Sequence, residues 1–209
     1  MRSSDRKQGG LSAAVSARPA VRRTLHWLSI AMFVAGVILF AQPFLTNLYA
    51  DWKQSRLEDE LGSASNRKAY REGSLEEGAA LTRIVIPKLN VRSVVVEGTS
   101  LTALRAGSGH YRSTALPCEP GNSAIAGHRT TYSKPFARVD LLRPGDRIRL
   151  ETPIGRCVYE VTEQPWVTGP GDGRVLAPMD GAWLTLTTCH PPGSDDVRLI
   201  VRARLVGPA

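Results

Sequence analysis

An all-β domain behind an apolar amino-terminal segment is the architecture the sequence predicts, and three observations predict it. From about Ala80 the chain breaks into short runs rich in Val, Ile, Leu and Thr, separated by Gly, Pro, Asn and Asp. No long amphipathic helical pattern interrupts those runs. Upstream, Leu25 to Leu45 contains no Asp, Glu, Lys or Arg.

The candidate strands are Thr82–Ile86, Val91–Glu97, Asn122–Ala126, Asp146–Glu151, Cys157–Glu163, Trp183–Thr188 and Val197–Leu205. Their spacing is that of a sandwich or a barrel, which pattern alone does not separate. Leu101–Ala106 and Phe136–Leu141 read as single helical turns, and Gly169-Pro170-Gly171-Asp172-Gly173 as a loop.

Leu25–Leu45 is close to the roughly 20 residues a membrane-crossing helix needs, with His26, Gln42 and Pro43 near its edges. A retained anchor is preferred over a cleavable signal, whose apolar region would be about 7 to 15 residues followed by a small-residue cleavage site. Arg18, Arg22 and Arg23 precede the apolar run, and a basic flank stays in the cytoplasm, so the β domain is expected outside it. The chain thus divides into a basic cytoplasmic tail over 1–24, a single-pass signal-anchor over 25–45, an extracytoplasmic polar stalk over 46–79, and the β domain over 80–209. Within the stalk, Ala50–Leu61 is good helix-forming sequence, and a polar stretch broken by Gly and Ser follows.

The net charge of +8 is divided. Residues 1–24 carry an excess of +5, residues 47–80 of −2 and residues 81–209 of +5. No Lys/Arg run is interleaved with aromatics, so the balance argues against nucleic-acid binding. Nor does any cluster of acids stand at metal-ligand spacing, and neither metal nor other cofactor is expected.

Chemistry concentrates at Trp183-Leu184-Thr185-Leu186-Thr187-Thr188-Cys189-His190-Pro191. A strand that ends in Cys and is stopped by Pro191-Pro192-Gly193 presents its thiol at the mouth of the fold. Outside the cytoplasm cysteines tend to pair, and three is odd, so at least one is unpaired or joined to another molecule. A cysteine nucleophile gains from a nearby imidazole. His26 lies in the anchor, and His190 points to the opposite face if the strand continues. Of His110 and His128, the second is preferred because it closes the apolar run Ala124-Ile125-Ala126-Gly127 just before a polar loop. Arg198 opens a strand soon after Cys189 and could reach it across a hairpin, with a guanidinium suited to a developing oxyanion. By itself, though, an Arg in a strand reads as a solvated surface residue.

Together these residues resemble the sortase family. Thr185-Leu186-Thr187-Thr188-Cys189 is similar to its Thr-Leu-x-Thr-Cys signature, Ala126-Gly127-His128-Arg129 to its histidine motif, and Arg198 falls at the expected distance beyond the cysteine. The wording around Gly109-His110-Tyr111, Thr114-Ala115-Leu116-Pro117, Gly121-Asn122 and Gly127-His128-Arg129-Thr130-Thr131-Tyr132 is similar to the class E enzymes of actinobacteria, with class D as the neighbouring possibility.

The resemblance implies a sortase-type eight-stranded β-barrel and a membrane-anchored transpeptidase. It implies Cys189 as nucleophile, His128 as proton-transfer partner and Arg198 as oxyanion stabiliser, with Tyr111, His110 and Thr188 at the substrate. The substrates would be secreted proteins with a carboxy-terminal sorting signal of the Leu-Ala-x-Thr-Gly or Leu-Pro-x-Thr-Gly type, cut between Thr and Gly. Class E members tend to prefer Leu-Ala-x-Thr-Gly, and the resemblance implies that Tyr111 favours the Ala of that signal. The acceptor would be an amine of a peptidoglycan precursor. A hydrolytic cysteine protease and an inactive barrel that binds surface proteins are the alternatives. Cys118 and Cys157 can form a disulfide or stand as two buried thiols, and the thiols are the expectation.

Overall fold

The computed structural model describes residues 19–208, and the chain divides into two compact units, residues 1–44 and 45–209. The tail expected over 1–24 lies outside the described residues up to residue 18. From Pro19 the chain is helical, and helix α1 (Pro19–Leu61) is 43 residues long with Pro43 inside it. Its amino-terminal part is the one helix among the described residues long and apolar enough to cross a membrane.

The second unit is built on a closed barrel. Strand β1 (Ala80–Ile86) turns through a short 3-10 segment and pairs antiparallel with β2 (Val91–Glu97). Asn90 closes the turn with φ 53°, a left-handed conformation that asparagine tolerates better than most residues. Helix α2 (Ala64–Glu72) precedes β1, and helix α3 (Leu101–Ala106) crosses from β2 to the parallel strand β3 (Ser108–His110). Next come β4 (Gly121–Ala126), β5 (Arg147–Thr152), β6 (Gly155–Val161), β7 (Trp166–Thr168), β8 (Ala182–His190) and β9 (Val197–Pro208). Around the ring the order is β1-β2-β3-β4-β8-β9-β6-β5, and β5 pairs back with β1, so eight strands close the barrel. β9 is long enough to serve both β6 and β7 on one edge, β6 along its second half and β7 along residues 198–200.

The interior is filled by alternate residues of every long strand, among them Ile84, Val95, Ile125, Ile148, Leu150, Tyr159, Leu184, Leu186 and Val201. Each such side chain, fully withdrawn from water, contributes roughly 1.5–3 kcal/mol. Strand β2 departs from alternation because both its faces are covered. Val95 points inward, while Val94 and Val96 pack outside against Leu57, Leu61, Ala80, Ala103 and Ala106. A strand buried on both sides reads as a continuous apolar run.

That outer cluster changes the expectation for residues 46–79. The region is no free stalk. Gln54 accepts from the Val94 N–H at 2.7 Å and donates to the carbonyls of Val94 and Ala106 at 3.1 and 2.7 Å, occupying backbone groups on the outside of the barrel. Asn66 donates to the Ala80 carbonyl, Tyr70 to the Pro117 carbonyl, and Arg83 on β1 is held between Glu58 and Glu151. Helix α2 is capped at both ends, by the Ser63 hydroxyl accepting from the Asn66 N–H and by Gly73 in the left-handed conformation.

Sequence reading found seven of the barrel's eight strands and missed β3, only three residues long, along with the equally short β7.

Candidate active site

The site forms where three strands end together. β4 runs parallel to β8 with Ala126 opposite Thr187, and the pairing continues past the strand end. The Gly127 N–H donates to the Thr187 carbonyl at 3.1 Å, and the Thr188 hydroxyl donates to the Gly127 carbonyl at 2.7 Å. His128 follows at the level of Cys189. On the other side of β8, antiparallel β9 sets Arg198 directly opposite Cys189. The register therefore flanks the cysteine with an imidazole-bearing and a guanidinium-bearing residue.

Alternation decides which face they use. Leu184 and Leu186 belong to the interior cluster, so Thr185, Thr187 and Cys189 face outward, and directly paired residues share a face. The thiol therefore lies on the outer wall near the end of the barrel, rather than in its mouth. Cys189 is half-buried and unpaired, whereas Cys118 and Cys157 form a disulfide with their Cα atoms 5.8 Å apart. The expectation of two buried thiols is corrected: the segment after Tyr111 brings Cys118 onto Cys157 of β6, both against the interior cluster.

His128 packs its ring against that of Tyr132, with centroids 5.3 Å apart. Burial pushes its pKa below the ordinary imidazole value, so the neutral ring predominates at neutral pH. Its main chain is fixed from below, since Phe136 donates its N–H to the His128 carbonyl and lies under Gly127. A Cβ at Gly127 would come within 2.5 Å of the Phe136 ring, so glycine is required there by close approach. Arg198 donates to the carbonyls of Asp195 and Val197 at 2.8 and 3.3 Å. Among the described residues it has no carboxylate partner at ion-pair distance, which leaves its charge available to another anion.

Beside Arg198 lies a cavity of ≈ 200 Å³, walled by Tyr111, Thr187, Arg198 and Ile200 and roofed by the loop from Thr168 to Leu176. Asn122 holds that roof. It donates to the carbonyls of Val175 and Ala177 and accepts from the Thr185 hydroxyl at 2.7 Å. Asp172 stiffens the roof from within, and its hydrogen bonds from Arg174 and Thr168 hold its carboxyl far below the usual range. A larger cavity, ≈ 450 Å³, lies between residues 50–58 of α1 and the segments 89–93 and 132–138. Neither Cys189, His128 nor Arg198 lines it; of the three, Arg198 lines the smaller cavity, and Cys189 and His128 line neither.

Of the residues expected at the substrate, Tyr111 lines the cavity, its hydroxyl 3.2 Å from that of Thr187. His110 and Thr188 do not. His110 is fully buried, with Nδ1 3.1 Å from Glu97 and Nε2 2.9 Å from the Ala115 carbonyl, so it braces the interior. Thr188 is buried and bound to Gly127, where it ties the two ladders together. Asn122 and Arg129 carried no assigned role in the sequence. Asn122 opens the strand as read from sequence, where a polar residue is ordinary, so nothing in the sequence marked it.

The sequence matches the sortase domain family over residues 84–206. It is 36% identical over 149 residues to Sortase SrtE1 of Streptomyces coelicolor and 33% identical over 128 residues to Sortase D of Bacillus subtilis. These matches take in 64% and 61% of this chain, but only 42% and 62% of those relatives' own lengths. Among solved structures, a Clostridium perfringens sortase D5 transpeptidase superposes with a TM-score of 0.66 at 31% identity, covering 76% of this chain and 99% of that one. Sortase E1 from Streptomyces coelicolor, with a tripeptide in its active site, gives 0.59 at 35% identity, covering 62% and 89%. Class E is favoured by the sequence matches, with class D beside it. With more than half its residues matched to the domain and the same closed barrel beneath them, this chain belongs to the sortase family.

Proposed function

We propose that the protein is a membrane-anchored transpeptidase, with Cys189 as nucleophile, His128 as proton-transfer group and Arg198 as oxyanion stabiliser. The observation that carries this reading is the register at the end of β8, with a free cysteine between the residue that continues β4 and its antiparallel partner on β9. The amino terminus lies in the cytoplasm and the barrel outside. A disulfide in the barrel fits that compartment.

The first half-reaction acts on a sorting signal of the Leu-Ala-x-Thr-Gly or Leu-Pro-x-Thr-Gly type. His128 takes the thiol proton and the sulfur attacks the threonine carbonyl, while the Arg198 N–H groups face the developing oxyanion. His128 then returns the proton to the departing glycine amine, and a thioester remains on Cys189. In the second half-reaction an amine of a peptidoglycan precursor attacks the thioester and gives a proton to His128. The thiolate leaves and recovers that proton, so the enzyme is regenerated and a new amide has formed. The neutral imidazole favoured by burial suits both proton-accepting steps.

Incubating the full chain in detergent with a Leu-Ala-x-Thr-Gly peptide and an amine acceptor tests the proposal. Cleavage with amide product in the wild type and none in Cys189→Ala is the expected result. Product formation by Cys189→Ala at the wild-type rate overturns the mechanism, and peptide cleavage that never partitions to the acceptor turns the assignment to a hydrolase.

A further inference from the structure

The turn after His128 holds an unusual backbone. Tyr132, Ser133 and Lys134 all have positive φ, at 49°, 57° and 39°, and none of them is glycine. Left-handed conformations in succession are disfavoured for residues with a Cβ, so something outside the turn has to select this one. Two residues of α1 do so. The Ser133 N–H donates to Asn47 Oδ1 at 3.0 Å, and the Ser133 hydroxyl donates to Asp51 Oδ1 at 2.7 Å.

Exposed hydrogen bonds contribute little when both partners must be ordered to make them. Here α1 is already ordered, because Gln54 is bonded to Val94 and Ala106 and Leu57 and Leu61 are buried, three to ten residues further along the same helix. The Asp51 and Asn47 carboxyl and amide oxygens are thus presented at fixed positions. The other end of the turn is fixed as well, by Phe136 beneath Gly127 and by the Phe136 N–H on the His128 carbonyl. Between these supports stands Tyr132, whose ring packs on His128.

We propose that Asp51, assisted by Asn47, is a positioning residue for His128, acting through Ser133 and the left-handed turn to hold the Tyr132 ring against the imidazole. The inference rests on His128 as the proton-transfer group. It gives residues 45–61 a role in the chemistry beyond tethering, and predicts that the juxtamembrane helix is part of the active enzyme. Loss of the clamp leaves the turn free to relax toward right-handed conformations, which removes Tyr132 and hydrates His128. The other charged or titratable groups that the registers bring to this end of the sheet are Arg129 beside His128, Cys189 and His190 on β8, and Arg198 on β9.

The test uses the full chain in detergent, a Leu-Ala-x-Thr-Gly peptide and an amine acceptor, with thermal melting as a check of folding. Asp51→Ala is expected to lower kcat by about tenfold or more through misplacement of His128, to leave KM within about twofold, and to move the acidic limb of the rate profile to higher pH. Adding Lys134→Gly, which accepts positive φ without strain, should restore much of the lost kcat. An Asp51→Ala enzyme with unchanged kcat and unchanged acidic limb overturns the proposal. So does a loss of kcat with the limb unmoved and no rescue by Lys134→Gly. His128→Ala in the same assay separates the two readings: if it is inactive while Asp51→Ala is normal, only the clamp fails, and if it is fully active, the assignment of His128 fails and the clamp with it.

Discussion

Arg129, the residue after His128, donates from Nη1 to Nδ1 of His190, the residue after Cys189, at 2.8 Å. The guanidinium is buried, and its Nη1 also lies 3.5 Å from the Cys189 carbonyl while Nη2 sits 3.1 Å from Asp140. Because Arg is only a donor, His190 Nδ1 is the acceptor and its proton resides on Nε2. The two segments that carry the proposed catalytic pair are therefore sewn together one residue beyond it.

Arg129→Met should uncouple those segments. Asp140 is about two-fifths exposed and can rehydrate, so the loss centres on the His190 bond, worth about 1–3 kcal/mol for a charged donor. A melting point lower by roughly 2–4 °C per kcal/mol is the expected readout, with kcat reduced more than KM is raised. An Arg129→Met enzyme with wild-type kcat would show that the tether does not position the pair.

The pH dependence follows from the burial of His128. Its folded pKa lies below the ordinary value of about 6.5, and the proposed mechanism needs the neutral ring to accept a proton. Activity is therefore retained as pH falls through 6.5 and is lost only on passing the lower folded value. The same sign governs stability: the unfolded chain takes up the proton first, so the contribution is complete above the unfolded pKa and declines as pH falls through the folded one. An acidic limb of kcat/KM at or above 6.5 would contradict this assignment of the lower titration.

The barrel was legible where side-chain alternation was long enough to read. β1, β4 and β8 alternate between interior and outer wall, and the closely spaced motifs around Cys189 and His128 could be placed on their ends. β3 and β7 offer three residues each, too few for a period to register. Residues 46–79 look polar because only one side of each helix is buried, and Leu57, Leu61 and Tyr70 are too sparse to mark that side in sequence. His110 misled because a histidine beside Tyr111 gives no sign of Glu97, its partner thirteen residues earlier on the neighbouring strand.

The disulfide predicts a thiol count. Under denaturing, non-reducing conditions one cysteine per chain, Cys189, should react with a thiol reagent, and three after reduction. Replacing Cys118 and Cys157 with serine releases a loop of 39 residues, which the loop-entropy relation values at about 4 kcal/mol. The urea midpoint should fall accordingly. Three reactive thiols before reduction would refute the pairing.

Gly127→Ala tests the packing beneath the histidine. Glycine here has an ordinary backbone conformation, so the substitution probes space alone. The added methyl would meet the Phe136 ring at 2.5–2.8 Å, and Phe136 is fully buried in the barrel's core, with no room to retreat. Overpacking of this kind costs about 1–3 kcal/mol. The strain has two outlets: Phe136 moves and the core loosens, or Gly127 lifts and carries His128 with it, breaking the bond from the Thr188 hydroxyl. The second is favoured because His128, the next residue, is only half-buried, whereas Phe136 is fully buried. Gly127→Ala should therefore reduce kcat by about tenfold or more while lowering the melting point only modestly, and pairing it with Phe136→Leu should recover activity. Wild-type kcat in the single variant would mean that this contact does not set the height of His128.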